Sequence, residues 1–529
     1  MKNINSKSLL ILFNLLSISM SSILFAQPGS LDLSFGTSGI VLTNIGISND
    51  WGRASALQVD GKIVIVGSSK NNDLTNDFIL IRYNNDGSID SDFGVNGLVN
   101  TSFGLFDDVA NAISIQTDGK IIVAGHSYNG TNNDIAIARY NTDGSLDITF
   151  DNDGKTTTSI GNGPESAQAL MIQNDGKIVV TGYAYNGFNY DFALVRYNID
   201  GSLDSTFDTD GKVVSHLGIG SDRGLAIAQQ SDNKIVIGGY SIGANFSDFA
   251  LLRYNPNGSL DSTFDNDGKV LTRIGNFNDI IYGIAIQSDG KIIAAGVTDS
   301  GTTNSTYNNF AIIRYNINGS LDSTFATNGI ASIDFANNND IAKSVAIQND
   351  NKIIIAGTSY NIESINDFAL LRLNSNGTID NTFGNNGKVR SVLTNSDSET
   401  ANTVLLQNDG KIILTGGSYS FNTDNYVFAI ARYNNDIFLD LDHIKMKTFN
   451  VEISKNPFAE AAVIKSNTFL ENATLSIYNN FGQLVRKLDN LFGESVFIDR
   501  DNLSSGLYLF QLKNKNEIIF NEKIIIADQ

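Results

Sequence analysis

A phrase of about 58 residues occurs seven times in succession, and this repeat restricts the possible folds more than any other feature of the chain. Each copy carries an arginine in an "RYN"-type motif, and the successive spacings are 57, 57, 57, 61, 58 and 60 residues. The seven arginines are Arg82, Arg139, Arg196, Arg253, Arg314, Arg372 and Arg432. A fixed period of this length is typical of proteins built from one repeated structural unit.

Each copy contains four short apolar runs of strand length, bounded by Gly, Asn or Asp. In the third copy they span 154–159, 167–173, 177–182 and 191–198. Four antiparallel strands in each of seven copies predict an all-β fold, a seven-bladed β-propeller. The alternative is an open stack of solenoid sheets.

The order of the runs also predicts how the ring closes. The chain opens with a lone outer strand, "GIVLTNIG" (39–46), and the seventh copy ends at 428–434 with only three strands. We therefore expect the first strand to complete the last blade, residues 400–434, and to bury Ile40 and Leu42 there.

These copies resemble the delta-60 repeat family, whose members are expected to form propellers. The resemblance covers residues 29–436 and rests on the phrases "GSLDSTF…GK", "DGKIVVTG" and "DFALVRYN". The family has no defined activity, so the resemblance implies a fold and no site residues.

The phrase "GSLDSTFDTDGK" (201–212) could be a calcium loop or a turn. Asp208 and Asp210 have counterparts in two other copies, but the acids are missing from the remaining four, whereas the Phe and the closing Gly occur in all seven. A calcium loop needs its oxygen ligands at set positions, whereas a turn needs only its glycine and its packing anchor. The phrase is therefore interpreted as structural, as are the seven arginines and the seven "LD" aspartates.

Two further patterns lie in the loops that vary between copies, where binding sites usually occur. An acid recurs eleven residues after the closing glycine in six copies, and the seventh has Asp397 and Glu399 beside that position. A ring of such acids could bind Ca²⁺ or a cationic ligand, although each could instead cap its own turn. These acids are Asp50, Asp108, Glu165, Asp222, Asp279 and Asp340.

Aromatic residues in the same loops are the second pattern. Such rings could form a platform for a glycan, or they could pack neighbouring loops together. They are Trp51, Tyr128, Tyr185, Tyr190, Tyr360 and Tyr419. His126 is interpreted as a polar surface residue of a loop.

Composition excludes several classes of function. The net charge of −20 disfavours nucleic acid as a partner. The absence of cysteine excludes disulfides and thiolate metal sites. Calcium is the one cofactor left as a candidate, and we expect a monomer.

The two ends of the chain predict export. Residues 1–26 have a basic head and an apolar stretch, which predicts a secretory signal peptide. The repeat period stops after residue 436, so 437–450 is interpreted as a linker and 451–529 as a small Ig-like β-sandwich.

The last segment resembles the type A sorting domain of the type IX secretion system. The residues that carry this resemblance include Asn456, Pro457, Gly482, Gly506, Tyr508 and Lys523. It implies a Bacteroidota source, the type IX machinery as a partner, and a secreted or cell-surface location.

Together these features favour a binding or adhesion propeller whose ligand is a glycan or a protein. The alternative is a secreted polysaccharide hydrolase or lyase that uses the same face. An enzyme would need one or two blades with converging polar residues, whereas the departures between copies are scattered.

Overall fold

The computed structural model describes residues 27–45, 49–70, 75–299, 307–335, 338–361, 365–393, 398–420, 424–435, 451–479, 483–514 and 517–528. The predicted signal peptide (1–26), the predicted linker (437–450) and Gly482 lie outside these ranges. The described chain divides into two compact units, one before and one after the boundary at residues 436 and 437. Within the described residues every regular element is a β-strand, and no helix that could cross a membrane occurs among them.

The first unit consists of seven four-stranded antiparallel sheets in its described residues, one for each blade of the predicted propeller. The first strands of the blades are β2 (Asp50–Leu57), β6 (Asp108–Ile115), β10 (Glu165–Ile172), β14 (Asp222–Gln229), β18 (Ile280–Ile286), β22 (Asp340–Ile347) and β26 (Ser398–Leu406). The second strands are β3 (Ile63–Lys70), β7 (Ile121–Tyr128), β11 (Ile178–Tyr185), β15 (Ile235–Ile242), β19 (Ile292–Asp299), β23 (Ile353–Asn361) and β27 (Ile412–Ser420). The third strands are β4 (Asn76–Tyr83), β8 (Asn133–Tyr140), β12 (Tyr190–Tyr197), β16 (Ser247–Tyr254), β20 (Asn308–Tyr315), β24 (Ile365–Leu373) and β28 (Asn425–Tyr433). The outer strands are β5 (Leu98–Thr101), β9 (Lys155–Thr158), β13 (Lys212–Ser215), β17 (Lys269–Thr272), β21 (Ile330–Ile333), β25 (Lys388–Ser391) and β1 (Ile40–Thr43).

The seven sheets form a closed ring around a central channel. Each first strand contacts the first strands of both neighbouring blades, including β2 with β26, so the first strands line the channel. The "DGK" turns that join first to second strands mark one end of the channel, called here the turn end. The loops that vary between copies mark the other, called the loop end. The seven-bladed propeller is confirmed.

The ring is closed by the first strand, as predicted. Strand β1 pairs antiparallel with β28, from Ile40 opposite Ala431 to Thr43 opposite Phe428. The burial expectation was wrong for Leu42, which is 40% exposed, and Ile40 is only half-buried. The outer strand is the edge of its sheet, so alternate residues face solvent, and the apolar anchor is instead Phe35, which is fully buried.

The turn interpretation of "GSLDSTFDTDGK" agrees with the structure. The Phe that opens each turn is fully buried in all seven blades, for example Phe207. The amide of Gly211 donates to the carbonyl of Phe207 at 2.9 Å, and the side chain of Asp210 accepts from the amide of Lys212 at 3.1 Å. Asp208 is exposed. The acids are therefore part of turn geometry.

The repeated arginines and aspartates form buried ion pairs that a lysine of the "DGK" turn joins. In the fourth blade, Asp261 lies 2.7 Å from Nε of Arg253 and 3.0 Å from Nζ of Lys234. The same arginine lies over the ring of Phe264, at 4.5 Å from the centroid. It also donates to the carbonyl of Ile317 in the next blade. These triads hold each blade together and tie it to its neighbour.

In the seventh blade the three residues of the triad come from opposite ends of the propeller sequence. Asp32, which precedes β1, lies 2.8 Å from Nε of Arg432 and 3.1 Å from Nζ of Lys411. The N-terminal segment thus supplies both a strand and an aspartate that the other blades provide from their own copies.

The second unit is one five-stranded antiparallel sheet, ordered β29, β30, β32 and β33, with β31 also paired to β30. Its strands are β29 (Val451–Ile453), β30 (Ala461–Tyr478), β31 (Leu484–Asp499), β32 (Gly506–Asn514) and β33 (Glu517–Ile526). The predicted Ig-like sandwich is not confirmed, because the long β30 pairs with β29 at one end and with β32 at the other and so links all the strands into one hydrogen-bonded sheet.

The predicted sorting residues occupy structural positions in this sheet. The side chain of Asn456, which precedes Pro457, donates to the carbonyl of Lys523 at 3.0 Å and accepts from the amide of Ile525 at 2.9 Å. The hydroxyl of the buried Tyr508 donates to the carbonyl of Ser504 at 2.9 Å. Gly506 begins β32. The first and last parts of the domain are thereby joined.

Candidate binding site in the central channel

Each first strand carries a β-bulge at the same place, which puts one residue of every blade out of register. The pairing of β2 with β3, for instance, shifts between Gly52 and Ala54, so Arg53 has no partner. A bulge re-aims a side chain that regular pairing would fix on a sheet face. The seven bulge residues, called here the collar, are Arg53, Asn111, Gln168, Leu225, Tyr282, Lys343 and Asn402.

The bulge explains a glycine that recurs in the second strands. A Cβ on Gly67 would lie 1.6 Å from the carbonyl oxygen of Trp51, and a Cβ on Gly296 would lie 1.9 Å from that of Ile280. The equivalent glycines of the other five blades are equally close to a carbonyl. The last glycine of "DGKIVVTG" therefore permits the close approach that the bulge requires.

The collar surrounds a cavity of about 540 Å³ in the channel. Its described lining consists of the collar and the one or two residues that follow in each first strand. Since these strands run from the loop end to the turn end, the cavity extends from the collar towards the turn end. The residues directly after the collar are small, and they are Ala54, Ala112, Ala169, Ala226, Gly283, Ser344 and Thr403. The volume is in the range of pockets that hold small ligands.

The collar is positively charged. Arg53 and Lys343 are the two charged residues of the described lining, which contains neither Asp nor Glu. The Nζ of Lys343 lies 3.7 Å from the ring centroid of Tyr282, and burial lowers the pKa of this lysine to about 8. The Arg53 side chain is exposed to the channel. Desolvation by the surrounding channel wall lowers the pKa of its guanidinium too. Neither cation forms a salt bridge with a carboxylate in the part of the chain that the structure describes.

Amide side chains hold the collar in place. Nδ2 of Asn402 donates to the carbonyl of Gly52 in the next blade at 2.8 Å, and Nδ2 of Asn111 donates to the carbonyl of Ala167 at 2.8 Å. Nε2 of Gln168 donates to the hydroxyl of Ser166 at 2.8 Å. Two of these bonds, those of Asn402 and Asn111, link neighbouring blades at the level of the collar.

A second group of polar side chains lies two strand positions nearer the loop end. The guanidinium of Arg223 lies 4.3 Å from the ring centroid of Tyr183 and 4.7 Å from that of Tyr190. His126 lies in β7 and not in a loop, which corrects its interpretation as a surface residue. Its Nδ1 is 2.9 Å from the hydroxyl of Ser166, and burial, with the nearby Arg53, lowers its pKa to about 4. His126 is therefore neutral at pH 7.

The six predicted metal ligands are all fully buried, and each accepts a hydrogen bond from the backbone of the loop before its strand. The donors are the amides of Ile45 to Asp50, Phe103 to Asp108, Gly161 to Glu165, Leu217 to Asp222, Ile274 to Asp279 and Phe335 to Asp340, at 2.6 to 2.9 Å. Among the described residues no three acids or histidines lie close enough together to hold a metal ion. The structure thus places these acids as caps of their own turns.

The predicted aromatic residues lie at the loop end and pack against other rings. Trp51 stacks on Tyr426 at 3.8 Å, and Tyr419 lies 4.6 Å from the same ring. Tyr185 lies 5.4 Å from Tyr190. In another blade, Tyr128 contacts Phe106. Tyr360 is partly buried in β23. The structure brings these residues into separate groups and not onto one platform.

The collar was missed from the sequence, although a signal for it exists. Each collar residue lies three positions after the recurring acid of its blade: Arg53 after Asp50, for example, and Lys343 after Asp340. Aligned on that acid, the seven copies carry a different kind of side chain at almost every collar position. Residues that recur mark the blades, whereas the collar position is defined by its variation.

Two family models match the chain. The model described as "Domain of unknown function (DUF5122) beta-propeller" matches residues 58–93, 116–150, 173–207, 230–264, 287–325, 348–383 and 407–440. The model described as "Secretion system C-terminal sorting domain" matches residues 455–527. Fold and matches define a repeat propeller with a type IX export signal at its C-terminal end.

DUF5122 β-propeller repeats therefore run across all seven blades of the chain, and its sorting domain directs export by type IX secretion to the cell surface or the extracellular space. Both predicted resemblances are confirmed. No curated protein matches the chain.

Several solved structures are similar to the chain at low identity and with TM-scores under 0.5, and these likenesses carry no argument. PorZ, a surface component of the type IX secretion system of Porphyromonas gingivalis, is 11% identical with a TM-score of 0.40, and the alignment covers 92% of this chain and 60% of PorZ. The polysaccharide lyase Uly1 is 12% identical with a TM-score of 0.45, covering 79% of this chain and 94% of Uly1. A protein from Lactobacillus plantarum is 10% identical with a TM-score of 0.41, covering 83% and 99%.

Proposed function

We propose that this chain is an exported binding propeller that holds a small polar ligand, such as a unit of a glycan, in its central channel. The observation that carries the proposal is the collar. At the positions that build the blades, the seven copies repeat the same residues, whereas at the position that reaches the channel they carry arginine, lysine, amides, a tyrosine and a leucine. A structural position in equal blades would not require such variety.

The chemistry of the lining favours binding over hydrolysis. A glycoside hydrolase of the usual kind needs two carboxyl groups on opposite sides of the scissile bond. The described lining of the channel has none, but it has amide groups, an aromatic ring and apolar side chains next to each other. This mixture of a few placed polar groups and apolar surface is typical of small-molecule sites.

A glycan array probed with the full chain tests this proposal. The substitution Leu225→Trp places a large side chain in the channel, and we expect it to abolish binding. Val59→Trp adds the same bulk at a residue that is 90% exposed and serves as the matched control. Melting curves of both variants show whether the fold is kept.

Two other results would redirect the interpretation. Loss of binding in a combined alanine variant of Tyr128, Tyr185 and Tyr360, with Leu225→Trp unaffected, would move the site to the loop end and contradict the channel. Release of new reducing ends or unsaturated sugars from a bound polysaccharide would favour the hydrolase or lyase alternative.

A further inference from the structure

We infer that the channel recognises an oxyanion, the carboxylate or sulfate of an acidic saccharide, which Arg53 and Lys343 bind together. This inference rests on the proposed function and specifies the class of ligand for the same site. The proposed function depends on the existence of the cavity. The inference depends in addition on the identity of two collar residues, whose positive charges select the ligand.

The local charge is the first argument. The chain has a net charge of −20, yet the described lining of the channel carries two positive charges and no acid. Elsewhere in the propeller the repeated cations are paired, as Arg253 and Lys234 are with Asp261. Lys343 is half-buried with the ring of Tyr282 beside it and no carboxylate, in a position where water solvates an ammonium less well, and Arg53 is exposed to the same channel. An anionic ligand would supply the missing partner.

The arrangement of the collar is the second argument. Lys343, Asn402 and Arg53 lie on three successive blades, the sixth, the seventh and the first, so they form one continuous arc of the channel wall. The blades across the ring contribute Gln168 and Leu225. One side of the cavity is therefore cationic and the opposite side is partly apolar.

A sugar acid fits this asymmetry. A guanidinium and an ammonium both donate to oxyanions, and the guanidinium can bind a carboxylate through two parallel hydrogen bonds. The apolar C–H face of the sugar ring would lie against Leu225 and the ring of Tyr282. A neutral sugar of the same shape would leave both cations without a partner.

Calorimetric titration of the full chain at low salt tests the inference with three probes: D-galacturonate, D-galactose and sodium sulfate. The two sugars differ only in the carboxylate at C6. We expect galacturonate to bind at least about tenfold more tightly than galactose. If sulfate competes with galacturonate, the oxyanion alone is recognised. If sulfate does not compete, the carboxylate is recognised together with the sugar ring.

Matched variants connect this selectivity to the collar. Arg53→Gln and Lys343→Gln should each weaken galacturonate binding about tenfold or more. Arg273→Gln removes an exposed loop arginine and should leave it unchanged. Lys343→Arg keeps the charge and should largely restore the affinity.

A pH profile separates a binding role of Lys343 from a structural one. Galacturonate affinity should fall as the pH rises through about 8, where Lys343 loses its charge. The groups near it are Tyr282 from β18, whose pKa burial raises, the neutral Asn402 from β26, and Arg53 from β2, two blades away on the same arc. None of these gains or loses a proton near pH 8, so Lys343→Arg should flatten the profile.

The outcomes distinguish the inference from the proposed function. Equal binding of galactose and galacturonate, lost in Leu225→Trp, would overturn the oxyanion and leave the channel site standing. Absence of binding by both galacturonate and sulfate would also overturn the oxyanion. Failure of the proposed function would appear separately, as array binding that Leu225→Trp does not change.

Discussion

The buried triads and the collar are two sets of seven positions in the same propeller, and they obey opposite rules. The triads use the same three residue types in every blade, and each cation is paired with a carboxylate. The collar changes from blade to blade, and its two cations have no carboxylate partner in the described chain. Repetition thus marks what builds the ring, and variation at one register marks what the ring presents to a ligand.

The strongest test of the repeated set is removal of the segment that completes the seventh blade. Deleting residues 29–46 removes β1, the buried Phe35 and the carboxylate of Asp32. Loss of one buried apolar side chain costs about 1.5–3 kcal/mol and a broken buried ion pair about 3–5 kcal/mol. We expect the melting temperature to fall by about 5–10 °C or more.

The substitution Asp32→Ala, with Asp86→Ala as its control, measures the stability that the triad contributes when β1 is still present. Asp86 is an exposed turn residue, so its replacement should have little effect. A deletion variant that melts like the intact chain would show that the ring does not depend on β1.

Next in size is the effect of breaking one triad. Arg253→Met leaves Lys234 as the one cation paired with the buried Asp261, and it removes the contact with the ring of Phe264. We expect a loss of about 3–5 kcal/mol in the free energy of unfolding. Arg273→Met, at an exposed arginine, should change it by less than about 0.5 kcal/mol. Similar values for the two variants would refute a stabilising role of the triads.

The same triad predicts a pH dependence. Burial alone would raise the pKa of Asp261, but hydrogen bonds from Thr263 and Lys234 and the charge of Arg253 outweigh it and hold the pKa far below the usual range. A lowered carboxyl pKa gives stability that is fully present above pH 4 and is lost progressively as the pH falls from there through the lowered folded-state pKa. The difference in stability between Arg253→Met and the intact chain should therefore be smaller at pH 3 than at pH 7, as urea unfolding at the two pH values can show.

Much of this architecture could be predicted from the sequence, because the seven copies act as independent samples of one fold. Blade number, the closing strand and the structural reading of the "LD" aspartates all follow from residues that recur. The collar could not be found in the same way. A bulge interrupts the alternation of strand residues at one point, so periodicity assigns Arg53 or Lys343 to a sheet face when the backbone in fact turns it towards the channel.

The prediction that Leu42 is buried was wrong for a related reason. Hydrophobicity marks residues that can be buried. In the outer strand of a blade, however, alternate side chains point away from the rest of the propeller and remain exposed to solvent. The order of the repeats predicts β1 correctly as the outer strand of its blade, but its apolar residues do not show how far an outer strand leaves its side chains exposed.

A smaller effect with the opposite sign is expected from the collar. Lys343 is a half-buried cation whose pKa is lowered from 10.5 to about 8, so its charged form is less favourable in the folded than in the unfolded chain. Lys343→Met should therefore raise the free energy of unfolding at pH 7, by about 1–3 kcal/mol. Lys291→Met removes a lysine that is paired with Asp322 at 2.8 Å and should lower it.

The pH dependence of Lys343→Met follows from the same shift. Between about pH 8 and 10.5 the unfolded chain binds a proton at this lysine that the folded chain does not, so the intact protein gains stability as the pH rises through this range. The advantage of the methionine variant should shrink accordingly. If both lysine substitutions destabilised the chain equally at pH 7, Lys343 would have to be counted, like the triads, among the residues that stabilise the ring.

The smallest expected effect concerns the carboxylates at the loop end, which recur like the triads although they were candidates for a metal site. Burial raises the pKa of Asp340 to about 6 and that of Glu165 to about 7, in spite of backbone hydrogen bonds that lower it. A bound divalent cation would hold such groups ionised, and ligand binding to the native state alone raises the melting temperature with concentration. Since each acid is fully buried against its own loop, we expect millimolar calcium or a chelator to shift the melting temperature by less than about 1 °C. A larger, saturable rise that Asp340→Asn abolishes would return these acids from the structural set to the functional one, and recurrence would then no longer separate the residues that build the ring from those that serve a ligand.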